Sequence, residues 1–288
     1  MPRVLIAGCG FVGEAAFRLL QAGGWEVTGV TLSEESAARL SGGGLSSIAC
    51  DISDPGMLKE KLGGFAGIDA VVHCASAGHG GGEEAYRKIY LHGARNLLEF
   101  LQPQRFIFTG STSVYAQMDG GWVTEESAAE PTVPTGFVLR MVEELVLRHG
   151  GIVTRLAGIY GPGRWALLRK FLDGMAVIEE EGSRWLNNIH RDDAAGAIAF
   201  LLNNGAAGGV YNVVDDTPLS QADCYRILSK HFKKPMPPSG PVDADRKRGV
   251  TNKRVSNAKL KGLGWVAKFP SVKEGLRADP RATASLDD

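Results

Sequence analysis

The first 24 residues constrain this chain most. Val4-Leu5-Ile6-Ala7 is a short apolar run and Gly8-Cys9-Gly10-Phe11-Val12-Gly13 is a glycine-spaced turn. The amphipathic helix that follows carries Ala15, Ala16, Leu19 and Leu20. A strand that feeds a GxGxxG turn opening a helix is the context that gives this spacing its meaning. Gly8 permits the tight turn, Gly10 lets backbone approach a pyrophosphate, and Gly13 lets helix and strand pack closely. The helix N-terminus, at Phe11 and Val12, offers N–H groups and the positive end of a dipole to phosphates. A glycine-rich turn with no ligand is the competing reading, and it fits this context less well.

A chain of 288 residues makes one large domain, or one domain with a smaller lobe. Lys+Arg and Asp+Glu both number 32, so no charge bias points to nucleic acid or to an anionic membrane surface. No apolar run reaches the length of a membrane span. The chain enters its first strand at once, which leaves no room for a signal segment, so a cytoplasmic protein is expected. Cys9, Cys50, Cys74 and Cys224 form no CxxC pair. Buried, reduced thiols are expected, and no metal site.

Strands expected at 26–31, 45–50, 69–74, 105–108 and 152–156 alternate with helices at 34–40, 54–62, 83–101 and 137–149. That alternation indicates βαβ units on a parallel sheet. The fold class is α/β: a doubly wound parallel sheet of the Rossmann type with a small C-terminal substrate lobe. Residues 1–160 form the nucleotide-binding domain, and 186–214 return to it. The rhythm breaks after 160, so 161–185 and 215–278 are assigned to the lobe, and 279–288 to a loose tail. Within these parts, helices are expected at 165–174, 192–203 and 218–232, and a last one from Ser256.

Ligands of open α/β sheets sit at the strand C-terminal ends. Strand two ends at Thr31 and Ser33, with neither an acid for a ribose hydroxyl nor an arginine for a 2′-phosphate. Hydroxyls there suit NAD or NADP and slightly favour NADP; Glu34 and Glu35 start the next helix. Asp51 ends strand three, placed to meet an adenine amino group or, equally, to cap the following helix. Small residues at Cys74, Ala75 and Ser76 let the chain pass close to a cofactor. His73 reads as a packing histidine. His79 in the glycine-rich loop at 78–82 has no metal-ligand partners. Thr109, Ser111, Thr112 and Ser113 end strand five, where hydroxyls can hydrogen-bond a carbonyl or alcohol during hydride transfer.

These segments, with Arg155-Leu156-Ala157-Gly158-Ile159-Tyr160-Gly161-Pro162-Gly163, Asn188-Ile189-His190-Arg191-Asp192-Asp193 and Arg254-Val255-Ser256-Asn257-Ala258-Lys259-Leu260, make a specific set. The chain resembles an extended short-chain dehydrogenase/reductase of the NAD-dependent epimerase/dehydratase superfamily. The resemblance implies cofactor contacts at Gly8, Gly10, Phe11, Val12, Gly13, Thr31, Ser33, Asp51, Ile52, Cys74, Ala75, Ser76, Thr109 and Ile159. It matches Ser111 to a catalytic Ser/Thr and Tyr115 to the Tyr that ends the strand-five motif. It also implies a small polar, sugar-derived substrate, and a homodimer through helices 83–101 and 137–149.

The family's YxxxK pair is missing. Anchoring on Glu143-Glu144 puts Gly136 at the Tyr position and Arg140 at the Lys position, and an arginine cannot serve as a base. Tyr90 replaces an Asn that many members carry. The chain thus resembles an atypical subgroup with an eroded active site. Two readings follow. One is an oxidoreductase or epimerase with a substituted acid/base, drawn from Tyr115, Ser111 and His190, with Arg140 holding ribose or phosphate. The other is an inactive NAD(P)-binding sensor or scaffold. In the lobe, Arg164 and Arg169 suit an anion and Trp165 and Trp185 suit a ring, with packing as the alternative. The basic residues at 246–248 and 253–254 read as a solvated loop or a phosphate site, and Asp192 or Asp193 as a helix cap.

Overall fold

A computed structural model of the chain describes residues 1–78, 81–242 and 251–278. His79, the basic run at 246–248 and the expected tail at 279–288 lie outside the described residues. Among the described residues no helix is long and apolar enough to cross a membrane.

The strands are β1 (Arg3–Ala7), β2 (Glu26–Thr31), β3 (Ser47–Ala49), β4 (Ala70–His73), β5 (Arg105–Ser111), β6 (Trp122–Val123), β7 (Ile152–Leu156), β8 (Gly158–Tyr160), β9 (Ile178–Glu179), β10 (Trp185–Leu186), β11 (Asn188–His190), β12 (Val210–Val213), β13 (Leu219–Ser220), β14 (Ser239–Gly240) and β15 (Arg254–Val255). Seven of them form one sheet in the order β12-β7-β5-β4-β1-β2-β3. From β3 to β5 every neighbouring pair is parallel, with Ile6 opposite both Gly29 and Val72. Leu5, Ile6, Val71, Val72, Ile107 and Phe108 are fully buried, as strands covered on both faces must be.

Helices α1 (Phe11–Ala22), α2 (Glu34–Gly42) and α3 (Pro55–Leu62) return the chain between the first strands. Ser33 caps α2 by accepting the Ser36 N–H, and Asp54 caps α3, with Pro55 preset for the first turn. The single helix expected over 83–101 is divided. Short α4 (Glu83–Tyr86) runs into a π-helical turn (Arg87–His92), and α5 (Gly93–Leu101) follows. The buried His73 ring bonds the Ile89 carbonyl through Nε2 at 3.2 Å, within that turn. Helix α6 (Pro134–Arg148) buries Gly136, Val138, Leu139, Val142, Leu145 and Val146 along one stripe.

The chain forms two compact units. Unit 1 contains Met1–Val114, Ala129–Arg155 and Ala195–Tyr211; unit 2 contains Tyr115–Ala128, Leu156–Ala194 and the described residues from Asn212 on. Unit 2 holds the small strand pairs β8–β11, β6–β15, β10–β13 and β9–β14. Its core joins Tyr160, Trp165, Leu168, Phe171, Cys224, Tyr225, Leu228 and Val272. They come in part from α7 (Ala166–Leu172) and α9 (Gln221–Phe232). Helix α8 (Arg191–Asn204) starts differently from expectation. His190 Nδ1 accepts the Asp192 N–H, while Asp193 is turned away to accept the backbone N–H groups of Lys268 and Phe269. The last expected helix is two short ones, α10 (Ala258–Gly262) and α11 (Val272–Ala278), with Gly264 between them at φ +102°.

Candidate functional site

The glycine turn is built by close approach. Gly8 has φ +97°, and a Cβ there would lie 2.2 Å from the Ala75 nitrogen. A Cβ on Gly13 would lie 2.2 Å from the Gly8 carbonyl oxygen. A Cβ on Gly10 would meet nothing within 4 Å. Two glycines therefore shut the turn and the middle one opens it. The N–H groups of Gly8 and Cys9 both donate to the Val30 carbonyl, at 2.8 and 3.2 Å, which seats the turn on β2. The Cys9 side chain points inward against Gly29, and burial pushes its thiol up to about 12. No side chain caps α1 at Gly10, so an anion there would meet backbone at the start of a 12-residue helix.

At the ends of β2 and β3 the polar groups are largely committed. Thr31 Oγ1 donates to the Ser33 carbonyl, and Ser33 is occupied with Ser36. Asp51 Oδ1 accepts from the Ser53 N–H at 2.9 Å and its hydroxyl at 2.6 Å, and Oδ2 lies 3.1 Å from Lys88 Nζ. Burial pushes the Asp51 carboxyl up, but the Ser53 hydrogen bonds and the Lys88 ammonium outweigh it and hold the group below its ordinary value. Asp51 does not cap α3, because Asp54 does. The Ile52 side chain is buried against Gly93, where a Cβ would come within 2.8 Å of it. Its carbonyl accepts from Asn96 at 3.0 Å. Ile52 thus anchors the loop with its side chain.

Beyond β4, the Cys74 N–H donates to the Ala7 carbonyl and the Thr109 hydroxyl to that of His73. Burial pushes the Cys74 thiol up to about 12. Cys74 and Thr109 tie strands together beside the turn. His73 packs against Tyr90 and Phe108, and burial pushes its imidazole down to about 4, so the ring is neutral. The Tyr90 hydroxyl reaches the exposed Ser76 at 3.3 Å. Ser111 is half-buried, and its oxygen accepts the Ser113 N–H at 3.1 Å. That geometry leaves the Ser111 hydroxyl hydrogen to be donated elsewhere.

Helix α6 closes the position expected for a tyrosine. A Cβ on Gly136 would lie 2.5 Å from Pro131 Cβ, so no larger side chain fits without moving Pro131. Arg140 lies one turn further along α6. It donates to Glu143, which is fully buried and also takes a two-pronged bond from Arg155, Nε at 3.0 Å and Nη2 at 2.8 Å. This corrects the expectation for Arg140: its charge is committed to a buried ion cluster. Lys88, Gly93, Asn96 and Glu143 were not singled out as site residues from sequence. The signal for Glu143 was the adjacent Glu143-Glu144 pair, of which only the first is buried.

The remaining candidates lie in unit 2. Tyr115 is fully buried, its hydroxyl donates to Asn212 Oδ1 at 2.9 Å, and its carbonyl accepts from Lys253 Nζ. These contacts give Tyr115 a packing role in place of proton transfer. His190 is equally buried, with Phe269 at 4.0 Å and Tyr160 at 5.2 Å between ring centres. Ile159 sits in β8, paired with Ile189. Trp165 packs on Tyr160, and Trp185 lies under the Arg254 guanidinium, which also covers Trp122. Arg164 and Arg169 are exposed. No group suited to a metal ion occurs among the described residues.

Three comparisons place this architecture among known proteins. Protein YeeZ of Escherichia coli K12 is 32% identical over 227 residues, covering 74% of this chain and 77% of its own. The trifunctional UDP-glucose 4,6-dehydratase/UDP-4-keto-6-deoxy-D-glucose 3,5-epimerase/UDP-4-keto-L-rhamnose-reductase of Arabidopsis thaliana is 27% identical, covering 73% of this chain and 35% of its own. The dTDP-glucose 4,6-dehydratase DesIV of Streptomyces venezuelae, solved with NAD, shares the fold at TM-score 0.81 and 24% identity, covering 97% and 96% of the two chains. The family model described as NAD dependent epimerase/dehydratase matches residues 4–214, from β1 to the end of the sheet. With the glycine turn, the sheet order and that match in agreement, the chain belongs to the NAD dependent epimerase/dehydratase family.

Proposed function

We propose that the chain holds a nicotinamide dinucleotide at the Gly8–Gly13 turn and acts on a small sugar-derived substrate as an oxidoreductase or epimerase/dehydratase. The observation that carries this is the open space over Gly10, between two glycines that admit no side chain. Backbone at Gly10, Phe11 and Val12 would hold the pyrophosphate, Asp51 the adenine amino group, and the 74–76 segment would pass alongside. The nicotinamide, when bound, supplies the hydride acceptor or donor. Ser111 donates its hydroxyl hydrogen to a substrate oxygen and steadies charge there. The matched sugar-nucleotide enzyme of Arabidopsis supports the substrate class.

The cofactor in this proposal is NAD. The hydroxyls of Thr31 and Ser33, which favoured NADP on sequence, are spent on local backbone and on Ser36. Glu34 and Glu35 open α2 beside them, where their carboxylates would repel a 2′-phosphate. A homodimer through the helical run 83–101 and α6 belongs to the same proposal; Phe137 and Met141 are exposed on α6. Sedimentation velocity tests it.

A second reading has its own support. Gly136 is shut by Pro131, and Arg140 is held by Glu143, so the family's usual acid/base position is empty of chemistry. In this reading the chain binds dinucleotide without turnover. Calorimetry with NAD, NADH, NADP and NADPH, followed by a sugar-nucleotide turnover screen, separates the outcomes. No binding at millimolar cofactor removes both readings. Binding with turnover that falls in Ser111→Ala supports the enzyme. Binding with no turnover supports the sensor.

A further inference from the structure

The π-helical turn at Arg87–His92 has a counterpart in the Asp51-Ile52-Ser53 loop. One residue of the turn and two of α5 hold three parts of the loop. Lys88 pairs with the Asp51 carboxylate, Gly93 admits the Ile52 side chain, and Asn96 bonds the Ile52 carbonyl. On a straight α-helix, five residues turn about 500°, which would leave Lys88 and Gly93 about 140° apart. Here the Gly93 N–H donates to the Lys88 carbonyl across a five-residue step, shared with the Tyr90 carbonyl, which narrows that angle. Lys88, in this turn, reaches the Asp51 carboxylate at 3.1 Å.

The pairing has a chemical consequence for whatever meets Asp51. Oδ1 is filled by Ser53, and Oδ2 is fixed by Lys88 with acceptor capacity to spare. A carboxylate so fixed accepts hydrogen bonds and donates none. A 6-aminopurine presents an N–H donor at its 6-position. A 6-oxopurine presents a carbonyl there and carries its proton on N1, so a carboxylate must swing to reach it.

We propose that Lys88, in the π-turn, is a specificity-determining residue that clamps Asp51 in place and makes the site select a 6-aminopurine over a 6-oxopurine dinucleotide. The proposal rests on the dinucleotide reading given above. Lys88 acts through Asp51 and touches no reacting atom.

The test compares NAD with nicotinamide hypoxanthine dinucleotide, which differs only in the purine, by calorimetry on the full chain. Wild type should prefer NAD by about tenfold or more, the scale of a hydrogen bond to a charged group. Lys88→Met should narrow the preference to within about threefold, chiefly because the hypoxanthine form binds better once Asp51 can swing. Lys88→Arg keeps a cation facing Asp51 and should restore the preference. Lys88 is exposed, with 57% of its side chain accessible, so its replacement leaves the core intact. An unchanged preference in Lys88→Met, or a loss of affinity equal for both ligands, overturns the proposal. Failure of wild type to bind either dinucleotide would instead sink the reading on which it rests.

Discussion

Gly10 and Gly13 are three residues apart, yet alanine should act oppositely at the two. At Gly13 the new methyl would meet the Gly8 carbonyl, so Gly13→Ala should cost about 1–3 kcal/mol of stability by overpacking. At Gly10 the methyl enters open space, so Gly10→Ala should melt within a degree or two of wild type while weakening dinucleotide binding. Paired thermal melts and calorimetry check both, and a Gly10→Ala variant that binds normally would count against the site. This turn was legible in sequence because its chemistry is local: six residues carry the whole geometry. Arg140 was not legible. Its side chain is claimed by Glu143, which in turn is shared with Arg155 on a separate strand, and no spacing along the chain shows that competition.

At the scale of elements, that ion cluster joins α6 to β7. Glu143 is fully buried and satisfies Arg155 through both oxygens. Glu143→Ala would strand the Arg155 charge among apolar strands, with an expected loss of about 3–5 kcal/mol. Replacing Glu144, which is exposed, should leave stability nearly unchanged, and denaturant unfolding of the two variants measures the contrast. The alternation of strands and helices was readable from periodicity, since each element shows its own apolar stripe. The π-turn was not readable, because residues 83–101 keep helical composition throughout. The turn comes from tertiary demands: the bulk of Ile52 against Gly93 and the His73 ring against the Ile89 carbonyl. The split of the last helix has a local cause at Gly264, but its effect on the register of 258–278 depends on packing.

For the molecule as a whole, two buried groups in unit 2 set a pH signature. Burial, with only the Thr217 N–H in compensation, pushes Asp215 up to about 8. Burial pushes Lys253 down to about 8. Asp215 holds a proton in the folded chain that the unfolded chain releases near 3.8, so its contribution falls as pH rises from about 4 to 8. Lys253 gives up its proton in the folded chain before the unfolded value of 10.5, so its contribution improves as pH rises from about 8 to 10.5. The sum of these two contributions is least near pH 8. The stability of wild type relative to Asp215→Asn should therefore fall as pH rises from about 5 to 8, a difference in which the other titrating groups cancel and which paired melts measure.

The buried thiols described above have a use in kinetics. Cys9 lies within unit 1 and Cys224 within unit 2; both are free and buried, and burial pushes each up to about 12. A reagent that needs thiolate can reach either one only when its surroundings open. Labelling rates read peptide by peptide in a mass spectrometer therefore clock the breathing of the two units separately. A dinucleotide seated on the glycine turn should slow the Cys9 clock and leave that of Cys224 running at its former pace.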